Sequence, residues 1–246
     1  VPEYFSNALE QLSNIRCIKV MLVQQKEYIF ETLPIGSRWM DYGFDRVITT
    51  TESSKKYILE YFPESLVFVI PPMIGDEFKP INLPLKPYVA ISCRDRNINR
   101  RLISEFYLKY PQLRWITFRD MVQMSYEEFA HNLKECMVSL WVDDESTFGT
   151  FPLESMKCGI PCVGKIPSLQ PHWMNDDNGI WIPDEPKMVD FTADFLQNWL
   201  EDNLNPELFV AMDKTVESYS NNVEFENNVI EVFSEMINTR MKTFEE

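Results

Sequence analysis

Ser146-Thr147-Phe148-Gly149-Thr150-Phe151-Pro152-Leu153-Glu154-Ser155-Met156-Lys157-Cys158-Gly159-Ile160-Pro161-Cys162-Val163-Gly164 reads as a loop, a short helix and a strand. Pro152 suits the first turn of a helix and Gly159 lies just past its end. A helix is therefore expected over residues 151–158, with Glu154 in its first turn. Four of the seven glycines in the chain, Gly149, Gly159, Gly164 and Gly179, fall in this stretch or just beyond it. In so glycine-poor a chain, such clustering marks places where the backbone takes positive φ or passes close to a ligand.

The same rhythm extends upstream. Tyr88–Cys93 reads as a strand, 94–97 as an arginine-bearing loop, and Ile98, Leu102, Ile103, Phe106, Tyr107 and Tyr110 recur at helical spacing. Trp115–Phe118 reads as a second strand. Ser125 and Glu128 form a capping-box pattern that opens a helix to about Lys134, and Met137–Val142 follows as a strand. Downstream, Val163 and Ile180–Ile182 add strand material, and three helical patterns run to about residues 203, 219 and 242. The first 75 residues show the same order: a helix near Glu3–Leu12, strands at Ile18–Val23, Arg46–Thr49 and Leu66–Ile70, and a helix over Glu52–Phe62. Alternating strands and helices predict an α/β fold with parallel sheets. Pro71, Pro72, Pro80, Pro84 and Pro87 punctuate the middle and divide the chain into domains of residues 1–76 and 77–246.

Composition narrows the function classes. The 246 residues carry a net charge of −15, which argues against nonspecific nucleic-acid binding through a basic surface. No apolar run approaches the roughly 20 residues needed to span a bilayer. The chain opens on Val1 without a basic-then-apolar leader, which points to a cytoplasmic setting. Five cysteines, Cys17, Cys93, Cys136, Cys158 and Cys162, form an odd set in mostly apolar surroundings and read as reduced core residues. Cys158 and Cys162 flank a Gly-Ile-Pro turn with no second pair nearby, and His131 and His172 are the only histidines, so no metal centre is expected. One cationic cluster stands against the acidic background: Arg94, Arg96, Arg100 and Arg101. A strand, an arginine loop and a helix N-terminus together suit a diphosphate, through amide groups, the helix dipole and charge-assisted hydrogen bonds.

Phe148-Gly149, Glu154 and Gly159-Ile160-Pro161 resemble the signature of retaining, nucleotide-sugar-dependent glycosyltransferases of the GT-B fold, particularly family four. The resemblance runs from about Lys86 to the C-terminus and more loosely back to Val1. In that signature a first Glu stands eight residues before the second; here Ser146 holds the place and Glu145 comes one residue too early. The resemblance implies a Rossmann-like donor-binding domain over 77–246, and a final helix, Asn222 to Lys242, that packs back on the first domain. It also implies that residues 1–76 are the end of an acceptor domain whose beginning is missing. Carried over to this sequence, it implies that Arg94 or Arg96, with Arg100 or Arg101 in place of a Lys, grip the donor diphosphate. Glu154 then contacts the ribose, Glu145, Ser146, Phe148, Gly149 and Thr150 surround the donor sugar and phosphate, and Met121 lies near the base.

The implied activity is transfer of a sugar from a nucleotide-diphosphate sugar to a saccharide or lipid-linked acceptor with retention, in surface polysaccharide or glycolipid synthesis. The leaving diphosphate is stabilised by protein groups alone, no cofactor is required, and contact with the membrane is at most peripheral. Two alternatives stay open: a nucleotide-binding pseudoenzyme of the same fold, to which Ser146 and the altered arginine loop point, and a nucleotide-sugar epimerase of similar double-Rossmann shape.

Overall fold

The computed structural model describes residues 1–26, 28–31, 33–81 and 86–245, with main chain only at 6, 7 and 240–245. Pro84 of the proline-rich segment lies outside the described residues. In chain order the helices and strands are α1 (Leu9–Ser13), β1 (Val20–Val23), α2 (Tyr28–Glu31), β2 (Arg46–Thr49), α3 (Glu52–Tyr61) and β3 (Leu66–Val69). Then follow β4 (Tyr88–Cys93), α4 (Arg96–Lys109), β5 (Thr117–Asp120), α5 (Tyr126–Lys134), β6 (Val138–Val142), α6 (Thr150–Lys157) and β7 (Cys162–Lys165). The chain continues through β8 (Ile180–Ile182), α7 (Met188–Leu200), α8 (Pro206–Glu217) and α9 (Asn222–Glu245). Both sheets are parallel, so the architecture is α/β with Rossmann-like units.

Two compact units form: Val1–Met73 with Glu145–Phe148 and Asn221–Glu246, and Ile74–Asp144 with Gly149–Ser220. In the first, β1-β2-β3 is buried on both faces because successive side chains point to opposite sides of a strand. Met21, Val23, Val47 and Val67 join Leu9, Trp39, Ile58 and Phe62 in one core. Ile48 packs on the other face with Val232 and Met236 of α9, flanked by Val20, Leu22, Phe68 and Ile70.

In the second unit the strand order is β5-β4-β6-β7-β8. The chain moves outward from β4 to β5, then returns to the far side of β4 to lay down β6, β7 and β8. The order therefore reverses between β4 and β6. Val89, Ile91, Val138, Leu140 and Val163 pack with Leu102 and Phe106 of α4 and Ala193 and Leu196 of α7. The opposite face is tied by polar contacts: Ser155 of α6 donates from Oγ to the Ile160 carbonyl (2.9 Å) and lies 2.6 Å from Ser139 Oγ of β6.

The local signals act through identifiable bonds. Ser125 Oγ accepts the Glu128 N–H (3.2 Å) while Glu128 accepts the Ser125 N–H (3.1 Å), closing the capping box of α5. Three expectations shift. The first helical pattern divides into a 3₁₀ turn, Glu3–Ala8, and α1. The strand expected at Trp115–Phe118 is β5 at 117–120, because Pro111 starts a 3₁₀ turn and the Ile116 N–H still bonds the Leu113 carbonyl (3.0 Å). Parallel pairing with β4 begins only at Thr117. Helix α6 begins at Thr150 because Gly149 adopts the left-handed conformation at its N-cap (φ 73°). Glu154 consequently sits in the second turn, not the first, and the helix terminus offers its charge little support.

Candidate functional site

In an open parallel sheet, ligands bind beyond the carboxyl ends of the strands, where the strand order reverses. In the second unit this place is the end of β4 and β6. Cys93 and Val142 are paired across the two strands, and the next residues on each side are Arg94 and Asp143. Arg94 Nε lies 3.1 Å from Asp143 Oδ2, with the Arg94 side chain 44% exposed and the Asp143 side chain 12% exposed. Asp95 caps α4 by accepting the Asn97 N–H (2.7 Å). Arg96 is the first residue of that helix, and Arg96 and Arg100 are both exposed.

Arg101 is placed differently. Its guanidinium pairs with Glu185 and, at 3.8 Å, with Glu105. Glu185 also lies 3.8 Å from Lys165 at the end of β7, and Lys165 pairs with Asp144 beyond the end of β6. This chain of alternating charges links the ends of β6 and β7 to the turn before α7. Among the four arginines, the structure brings Arg94 to the strand-order reversal and ties Arg101 into this network.

On the other side of the crevice, Gly149 is closely enclosed. A Cβ there would lie 3.1 Å from both Trp141 and Trp173, so the turn into α6 requires glycine for space as well as for its backbone conformation. The first turn of α6 offers the N–H groups of Thr150 and Phe151, while Pro152 has none. Glu154, partly buried one turn further, has its carboxyl pushed up to about 7 by burial. No hydrogen bond or ion pair to another described residue offsets that cost. Its charge also raises the Tyr126 phenol, after the larger effect of burial. Tyr126 opens α5 just beyond β5, so Glu154 and the segment 121–126 belong to one side of the crevice. In that segment Met121 is buried and donates its N–H to the Ile91 carbonyl (2.9 Å), and Gln123 is left-handed (φ 56°).

Glu145, Ser146 and Phe148 belong to the first unit, where the neighbouring Thr147 hydroxyl donates to the Gln24 carbonyl beyond β1 (2.8 Å). Arg94, Arg96, Arg100, Arg101, Met121, Gly149, Thr150 and Glu154 lie in the second.

No family model matches the chain, and no curated protein matches it in sequence. Solved structures do. The pneumococcal O-GlcNAc transferase GtfA in complex with UDP and GlcNAc superposes with a TM-score of 0.62 at 14% identity, over 96% of this chain and 59% of that one. Sucrose-phosphate synthase from Thermosynechococcus elongatus gives 0.65 at 15%, over 96% and 72%. A point mutant of S. aureus TarM in complex with Fondaparinux, alpha-GlcNAc-glycerol and UDP gives 0.66 at 14%, over 93% and 54%. The fold is that of the GT-B glycosyltransferases. The chain spans between half and three quarters of the length of these structures.

Two residues at the crevice carry no obvious sequence signal. Lys165 ends a strand that is otherwise buried, and only its pairing with Asp144 and Glu185 distinguishes it from a solvated lysine. Asn99, in the second turn of α4, is buried, and its Oδ1 has no hydrogen-bond partner. A buried acceptor left unpaired costs about 1–3 kcal/mol, which makes Asn99 a candidate to receive a ligand donor. The two cysteines of the Gly-Ile-Pro turn remain thiols, since burial pushes both Cys158 and Cys162 up to about 12.

Proposed function

We propose that the carboxyl edge of the second sheet is the donor site of a nucleotide-sugar glycosyltransferase. The observation that carries this reading is Arg94 at the reversal of strand order, with the N-termini of α4 and α6 beside it. Arg94, Arg96 and Arg100 take the diphosphate, the α6 amides take phosphate or sugar oxygens, and Glu154 accepts the ribose hydroxyls. The likeness to GT-B structures supports this assignment; two of the structures named contain UDP.

Transfer proceeds with retention, and the leaving diphosphate is stabilised by arginines and amides. Donor binding needs no metal: the acidic residues nearest the crevice, Asp143 and Asp144, are already paired with Arg94 and Lys165. The acceptor is a saccharide or lipid-linked saccharide of a surface polymer, handled in the cytoplasm or at the inner face of the membrane. Among the described residues no helix is long and apolar enough to cross a membrane. A panel of nucleoside diphosphates and diphospho-sugars tests the reading by calorimetry. Saturable binding of one member followed by donor turnover is expected; no binding by any member rejects it.

Two observations favour a second reading, a nucleotide-binding protein without transferase activity. Ser146 stands where an acidic residue is expected, and Arg101 is held by Glu185. Donor binding without transfer or donor hydrolysis distinguishes it.

A further inference from the structure

A cavity of about 950 Å³ opens in the second unit between residues 172–180, the C-terminal half of α7, the connection 203–205 and α8. Its volume is at the upper end of the range for small-molecule sites, and none of the residues assigned to donor contact lines it; Trp173, which packs against Gly149, stands between the two. We propose that it binds a neutral oligosaccharide.

The wall of this cavity is built rather than loose. Residues 166–179 form neither helix nor strand, and such long connections are ordinarily mobile. Here Asn178, fully buried, uses all of its hydrogen-bonding capacity. Its Nδ2 donates to the Trp173 carbonyl (2.7 Å) and to Thr215 Oγ1 of α8 (3.0 Å). Its Oδ1 accepts the Asn175 N–H (3.2 Å) and Trp181 Nε1 (3.0 Å). Trp181 Nε1 also donates to the Asn175 carbonyl (2.8 Å). Gly179 admits the Trp181 indole where a Cβ would come within 2.3 Å of it. A wall fixed in this way spares a ligand the entropy of ordering it.

The chemistry of the lining selects the ligand. Asp176, Asp177 and Glu207 outnumber Lys214, so the cavity repels phosphates and sulfates, the reverse of the Arg94 crevice. The Asn198 side chain lines the cavity with no hydrogen bond to another described residue. An amide both donates and accepts, as a sugar hydroxyl does, whereas a cation would leave the amide donors unused. Leu208 and the exposed Val210 provide apolar surface for the C–H face of a pyranose. His172 Nε2 and the Tyr219 hydroxyl, 2.7 Å apart, fix the orientation of an aromatic rim.

Maltooligosaccharide and chitooligosaccharide ladders, with spermidine and inorganic phosphate as controls, are titrated into the whole chain by calorimetry and tryptophan fluorescence. A neutral oligosaccharide is expected to bind and to perturb the fluorescence of Trp173 and Trp181. Asn198→Ala weakens it about tenfold, and Ser218→Trp, which fills the cavity, abolishes it. Both positions are exposed, and an unchanged melting temperature checks that the variants fold. UDP and the other nucleoside diphosphates are titrated separately, so that failure of the donor reading leaves this result standing. Absence of binding by both ladders, equal binding to Ser218→Trp, or displacement of the oligosaccharide by spermidine overturns the proposal.

Discussion

Glu154→Gln separates the effects of burial and ligand contact at the carboxylate that, among the described residues, is most strongly displaced from its ordinary value. Burial moves Glu154 from 4.5 to about 7. Across that interval the unfolded chain has lost its proton while the folded chain still holds it, so folding stability falls as pH rises. The full contribution is present below pH 4.5 and is lost as pH passes 7. At about 1.36 kcal/mol per unit the loss amounts to about 3 kcal/mol, an upper figure for a group that keeps some contact with solvent. Glutamine cannot ionise, so urea unfolding of Glu154→Gln lacks this slope, and the two profiles diverge between pH 4.5 and 7. Tyr126 and Cys158, whose charges are felt alongside that of Glu154, are both raised and titrate above this window. Ribose hydroxyls donating to Glu154 favour its ionised form, so nucleoside diphosphate binding at pH 6.5 releases up to about three quarters of a proton. Calorimetry in buffers of different ionisation heat measures that release; the diphosphate, whose own last proton titrates at about pH 6, loses protons in both proteins, and Glu154→Gln releases less by the share of Glu154. Parallel stability profiles for the two proteins would refute the burial argument; equal proton release by the two proteins would refute the ribose contact.

Glu154→Ala weakens nucleoside diphosphate more than inorganic pyrophosphate, whereas Arg94→Ala weakens both by about 1.5–3 kcal/mol; paired titrations compare them. Gly149→Ala forces a Cβ to 3.1 Å from Trp141 and Trp173 at positive φ, and costs about 1–3 kcal/mol in urea unfolding together with donor affinity. Lys157→Met leaves the Ile74 carbonyl, which now accepts from Nζ at 2.6 Å, without its partner and destabilises the chain by about 1–3 kcal/mol. Donor affinity is unchanged by a chelator; a collapse restored by magnesium or manganese would contradict metal-independent binding.

The fold was legible where the sequence signal is local. Tyr88–Cys93, Arg46–Thr49 and Ile180–Ile182 are strands at the expected bounds, since apolar runs between turn residues leave little choice. The Ser125–Glu128 cap likewise completes itself within four residues. Features set by distant partners were not legible. Nothing near Arg101 announces its pairing with Glu185, and nothing near Lys165 announces Asp144. Residues 145–148 belong with the first unit, where Thr147 bonds Gln24, far away in sequence. Glu154 moved from the first turn to the second because the left-handed turn at Gly149 starts α6 earlier than Pro152 implies. The cavity beside α8 escaped notice because asparagines such as Asn178 and Asn198 read as loop or surface residues until the fold assembles them.

On the reading proposed above, the carboxyl edge of the second sheet holds a nucleotide-sugar donor, with Arg94 on its diphosphate. Calorimetric titration of uridine, guanosine and adenosine diphosphates into the wild-type chain and Arg94→Ala tests it most directly. Saturable heat is expected with at least one of them, with an affinity at least about tenfold lower in the variant. No heat with any of the three, or equal affinity in the two proteins, would contradict it.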